Sequence, residues 1–113
     1  MNMTSPPLLL VQTTLSDQTA AQALAQDLIG QQLAVCAQLG PAVTSIYPWQ
    51  GRIEQQAEVV LTLKSTPGAL PALKTRLLAQ HPYDVPELLV LPVIETHQDY
   101  LDWTQDWTEP SEQ

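Results

Sequence analysis

The chain predicts an α+β domain, a split βαβ sandwich running strand, helix, strand, strand, helix, strand, with one further helix at its end. Three observations predict it. Apolar runs and helical stripes alternate in that order along 113 residues, a length that suits one domain with its own core. The stretch from Arg52 to Ser65 alternates strictly after a Gln50-Gly51 turn, as the returning arm of a hairpin does. Pro92 interrupts the last apolar run and removes a ladder donor, so that strand belongs at a sheet edge, where this topology puts it.

Leu8 to Val11 is continuously apolar and reads as a strand buried on both faces, with Gln12, Thr13 and Thr14 as the polar turn that follows. Ser16 suits the N-cap of a first helix whose stripe is Ala20, Ala21, Leu24, Leu28 and Ile29, with fraying from Gly30. From Ala34 to Trp49 the pattern is extended, and Gly40 with Pro41 marks a bulge or bend. On the return arm, Ile53, Gln55, Ala57, Val59, Leu61 and Leu63 share one face, while Glu54, Gln56, Glu58, Val60, Thr62 and Lys64 share the other. Thr66, Pro67 and Gly68 open a second helix with Leu70, Leu73 and Leu77 on one stripe and Pro71 in its first turn. His81 and Pro82 close it, and Leu88 to Val93 is the edge strand. Thr96 with Asp99 has the spacing of a capping box before a third helix that carries Tyr100, Trp103 and Trp107 on one face.

The hairpin is too long for its domain. The arm from Arg52 to Ser65 would extend roughly 46 Å at about 3.3 Å per residue. A compact chain of this length has a radius of gyration of about 13 Å, hence a diameter of roughly 34 Å. An overhanging ribbon exposes backbone and apolar groups, so it must bend back or pair with further copies of the chain, which predicts a homo-oligomer.

Four basic against twelve acidic side chains give a formal charge of -8, which repels nucleic acid and anionic membranes and attracts cations. The sole cysteine, Cys36, allows no intrachain disulfide. Met1 to Pro7 lacks a basic leader, and Leu8 to Val11 is too short to span a membrane, so a cytoplasmic location without membrane partners is expected.

The densest chemistry is the run His81, Pro82, Tyr83, Asp84, Val85, Pro86 and Glu87. Each proline fixes its own φ and holds the residue before it extended, so the loop is presented rigidly. It offers an imidazole, a phenol and two carboxylates, groups that bind a cation, a proton or a polar small molecule. The plain structural alternative is that Pro82 stops a helix, Pro86 starts a strand, and His81 serves as a C-terminal cap.

Three segments together resemble the CutA divalent-cation tolerance proteins: Leu33 to Ala37, Ser45 to Gly51 (Ser-Ile-Tyr-Pro-Trp-Gln-Gly), and His81 to Val93. Glu58 six residues before Lys64 and Tyr100 three before Trp103 extend the likeness from about Leu8 to Trp107. The resemblance implies one ferredoxin-like domain over residues 8–107, with flexible segments at 1–7 and 108–113, assembled as a homotrimer through its long hairpins. It also implies a polar cluster of Cys36, Glu58, Lys64, His81, Tyr83 and Glu87 in a cleft between subunits. Tyr47, Trp49, Tyr100 and Trp103 are expected at the trimer interface.

Divalent metal ions are the expected partners, copper among them, since thiolate and imidazole suit Cu(I) and Cu(II). Cys36, His81, Glu58 and Glu87 are the candidate ligands, Lys64 and Tyr83 complete the cleft, and His97 is a secondary candidate. Some relatives carry another cysteine at the end of the first strand; here Val11, Gln12, Thr13 and Thr14 stand there, which rules out a two-thiol copper site within one subunit. No organic cofactor is expected. A trimeric small-molecule sensor of the PII type is the alternative, although no glycine-rich phosphate loop is visible. No signature joins Cys36 and His81 as nucleophile and base, so the expectation is a protein that is not an enzyme.

Overall fold

A computed structural model describes residues 6–110 of the chain. The elements are β1 (Leu8–Leu15), α1 (Gln18–Gly30), β2 (Cys36–Trp49), β3 (Arg52–Ser65), α2 (Leu70–Gln80), β4 (Leu89–Val93) and α3 (Gln98–Thr108). The four strands form one antiparallel sheet in the order β2-β3-β1-β4, so β4 with its Pro92 lies at an edge as predicted. The fold is the α+β sandwich expected.

The alternation of β3 sorts its faces as read. Val59, Leu61 and Leu63 enter the core with Val11 and Leu15 of β1, under Leu24 and Leu28 of α1 and Leu73 and Leu77 of α2. The opposite face of the sheet carries Glu58, Lys64, Gln12 and Thr14, which share it through the pairings of β1 with β3. Arg76 on α2 donates two bonds to Asp27 on α1 at 2.7 and 2.8 Å, which ties the two helices and holds the Asp27 carboxyl below its ordinary range.

Several local expectations are corrected. β1 does not turn at Gln12 but runs on to Leu15, because Gln12, Thr13 and Thr14 pair with Thr62, Leu61 and Val60; the ladder overrides local polarity. The cap of α1 is Asp17, whose Oδ1 accepts from the Ala20 amide at 2.8 Å, and not Ser16. α1 remains regular through Gly30, and the left-handed residue that ends it is Gln32, with φ 61°. The Gln32 amide bonds Ile29 O and the Leu33 amide bonds Leu28 O, the paired closure of a Schellman motif. The box at Thr96 and Asp99 does not form, since His97 occupies the cap position and Thr96 falls one residue early.

The hairpin is the dominant shape feature. Its register shifts between Leu39 and Ala42, leaving Gly40 and Pro41 as the anticipated bulge. The molecule measures 51 × 34 × 23 Å with a radius of gyration of 15.4 Å, above the roughly 13 Å of a compact chain this long. Beyond Glu58 the ribbon leaves the core, and Ile46, Trp49 and Ile53 are exposed. α3 is latched at its end: Trp107 Nε1 donates to Ile29 O, Gln32 Nε2 donates to Trp107 O, and Thr66 meets Thr108 at 3.1 Å. α3 runs through Thr108, and residues 1–5 and 111–113 of the two expected terminal segments lie outside the described residues.

Candidate functional site

The rigid loop after α2 is held by its histidine. His81 is extended at φ -72°, ψ 136°, as the following proline requires, and its ring turns inward until the residue is 7% exposed. Nδ1 accepts from the Tyr83 amide at 3.1 Å, so Nε2 carries the proton and donates to Thr14 O at 2.9 Å. Both ring nitrogens are thus engaged by backbone. The ring also meets Tyr83 edge-on at 4.7 Å between centroids. His81 therefore positions Tyr83 within this subunit and offers no free nitrogen to a metal.

Tyr83 continues the chain of bonds. Its hydroxyl donates to Glu58 Oε2 at 2.7 Å and accepts from Gln56 Nε2 at 3.4 Å, while Gln56 Oε1 accepts from the Tyr47 hydroxyl at 2.7 Å. Burial, the hydrogen bond to Glu58 and the Glu58 charge raise the Tyr83 phenol well above the ordinary tyrosine range. Glu58 itself is 6% exposed and forms no ion pair among the described residues. Nearby, Glu87 Oε2 accepts from Gln12 Nε2 at 3.1 Å, which fixes the far end of the loop to β1.

A cleft of about 770 Å³ between the hairpin and the loop is lined by Ser45 to Trp49 and Gln56 and Glu58 of the hairpin, by Thr14 of β1, and by Tyr83, Asp84, Val85 and Glu87 of the loop. Its lining holds three carboxylates and no basic side chain.

Cys36 and Lys64 are elsewhere. They oppose each other at the far end of β2 and β3, about 20 Å from Glu58 at roughly 3.3 Å per residue along the strand. Lys64 shares a face with Glu58, as the alternation requires, yet its ammonium lies 5.5 Å over the Tyr100 ring instead of pairing with the carboxylate. Among the described residues no three His, Cys, Asp or Glu side chains converge on one ion, so Cys36, His81, Glu58 and Glu87 do not make a metal site within one subunit. His97 is exposed, with Asp99 at 3.6 Å.

Of the residues expected at a trimer interface, Tyr47 joins the hydrogen-bonded chain, Tyr100 covers Lys64, and Trp49 and Trp103 are exposed at 41% and 52%. The sequence reading missed Gln12, Gln56 and Thr14. Gln56 was detectable in principle, since it shares the Glu58 face of β3 one pleat away; the partners of Gln12 and Thr14 depend on a strand register and a loop path that no local pattern encodes.

The CutA1 divalent ion tolerance protein family profile matches residues 9–107. The Divalent-cation tolerance protein CutA of Thermus thermophilus is 40% identical over 99 residues, covering 88% of this chain and 96% of that protein. The protein of the same name from Yersinia pestis is 45% identical over 95 residues, covering 84% and 80%. The crystal structure of CutA1 from a psychrotrophic Shewanella superposes with a TM-score of 0.89 at 37% identity, covering 94% of this chain and 99% of that one. Among the described residues, no helix is long and apolar enough to cross a membrane. With residues 9–107 matched by the family profile and a relative 40% identical over 88% of its length, the chain belongs to the CutA1 divalent ion tolerance protein family.

Proposed function

We propose that this protein acts in divalent-cation tolerance as a cytoplasmic homotrimer that binds copper or another divalent ion where donor groups of neighbouring copies meet. The observation that carries the reading is the cleft whose lining has three carboxylates and no basic group, in a chain of net charge -8. Since one subunit does not assemble a coordination sphere, the metal draws on more than one copy. Cys36, Glu58 and Glu87 are the donors, and His81 orders the loop that presents Glu87.

Two further features support assembly. β2 and β4 are opposite edges of the sheet, so joining β4 of one copy to β2 of the next closes a ring without open edges. Leu89, Leu91 and Ile94 are exposed along the β4 side, where such a junction would cover them. A binding role is also favoured over catalysis, because both nitrogens of His81 are committed and none is left to activate Cys36. A small anionic metabolite is disfavoured by the acidic lining.

Calorimetric titration of the assembled protein with Cu(II) tests the reading. Cys36→Ser and Glu87→Gln should each weaken binding by about tenfold, the loss of one ligand. Full binding by both variants would refute these donors.

A further inference from the structure

The loop that follows α2 is closed by its histidine in one protonation state alone. His81 Nδ1 accepts from the Tyr83 amide at 3.1 Å and Nε2 donates to Thr14 O at 2.9 Å, in a residue only 7% exposed. Both bonds require the neutral imidazole with its proton on Nε2. The imidazolium carries a proton on Nδ1 as well, which turns the acceptor into a donor facing the Tyr83 N–H. An attractive contact then becomes two opposed donors, in a place that shields the new charge from water.

Little else holds the segment. Pro82 to Leu88 lie between α2 and β4, and their further side-chain anchors are the Tyr83 hydroxyl on Glu58 and Gln56 and the Gln12 amide on Glu87. Tyr83 is seated at both ends, its amide by His81 and its hydroxyl by β3, so loss of the first seat loosens the second. Around the ring, the loop carries Tyr83, Asp84 and Glu87, β3 carries Glu58, and Tyr47 of β2 joins through Gln56. β1 has no titratable side chain. α1 contributes Asp17 and Asp27, and α2 contributes Lys74 and Arg76, the latter paired with Asp27. Among the described residues no carboxylate hydrogen-bonds the His81 ring, so none takes over the Nδ1 proton contact. Carboxylates ordinarily lose their charge around pH 4, below the interval of about pH 5 to 8 in which histidine changes its own.

We propose that His81 is an acid-operated latch: protonation of its ring frees the Tyr83 amide, loosens the loop from β1 and β3, and opens the cleft between the loop and the hairpin. The open loop takes up a proton for which the closed loop has no acceptor, so falling pH shifts the balance toward the open form. Closure returns as the ring gives that proton up. The latch needs no metal and stands apart from the cation reading. His97, the second histidine, is 77% exposed beside Asp99 and has no part in it.

Amide hydrogen exchange on the metal-free full chain in its solution oligomer, corrected for the intrinsic pH dependence of exchange, reads the latch at Tyr83, Asp84 and Val85. Between about pH 7.5 and about pH 5.5 their protection should fall about tenfold, while the amides of α1 keep theirs. His81→Asn offers the Tyr83 amide an acceptor two residues before it, as in an Asx turn, and takes up no proton in this range, so protection should persist at both pH values. His97→Asn should behave as the wild type. Unchanged protection in the wild type, or an equal fall in His81→Asn, would overturn the proposal. If His81→Asn does not fold, magnetic resonance titration of the wild type decides. The Tyr83 amide shift should follow the His81 ring protons, and a Tyr83 midpoint apart from theirs overturns the latch.

Discussion

Thr13 and Tyr83 show how one side chain's neighbours decide its worth. Thr13 is fully buried, and its hydroxyl has no partner among the described residues. Thr13→Val keeps the shape and removes the unsatisfied group, so it should stabilise the fold by about 1 kcal/mol in denaturant titration. Tyr83 is the opposite case, because its hydroxyl supplies Glu58 with a donor. Tyr83→Phe should cost on the order of 1 kcal/mol. The raised Tyr83 phenol also has a sign. Its stabilising effect is complete below the ordinary tyrosine value of 10.0 and is lost as pH rises toward the higher folded value. Stability of the wild type should fall above about pH 10 more steeply than that of Tyr83→Phe, measured by urea midpoints along the pH axis. Of the cleft residues that the resemblance implied, Tyr83, Glu58 and Glu87 line the cleft, whereas His81 stands outside its lining. Their roles were not legible in the sequence, because the proton on His81 follows from a carbonyl 67 positions away in sequence.

At the scale of elements, the hairpin was the most legible part. Strict alternation, a glycine turn and a Gly-Pro interruption specify two strands, a reversal and a bulge by local rules alone. β1 was the least legible at its end, since its polar residues acquire strand geometry only through pairing with β3. The turn itself carries a residue under strain: Gln50 has φ 51° and Gly51 has φ 79°, the two positive angles of a type I′ reversal. Asparagine tolerates that first position better than glutamine, so Gln50→Asn should stabilise the tip by roughly 0.5 kcal/mol. The tip stands clear of the core, so the gain should appear as slower amide exchange near Trp49 and Arg52. The thermal midpoint of the domain should hardly move.

The whole molecule is more extended than its own core requires, and its apolar surface is distributed accordingly. Leu89 and Leu91 pair with Gln12 and Leu10, which places them on the sheet face opposite α1 and α2, yet they are 49% and 43% exposed. On a lone subunit, two leucines on a sheet edge invite unselective strand pairing; in a closed ring they become an interface. Leu91→Glu places a charge at this edge without touching the buried core. The wild type should elute at three chain masses in light scattering at micromolar concentration, and the variant should shift to the monomer while keeping its far-ultraviolet dichroism. Its thermal midpoint should fall and become dependent on protein concentration, because folding and association are linked by mass action. A wild-type monomer at that concentration would contradict the assembly. A trimer unaffected by Leu91→Glu would instead move the junction away from β4, leaving the exposed hairpin tip around Ile46 and Ile53 as the surface that the copies share.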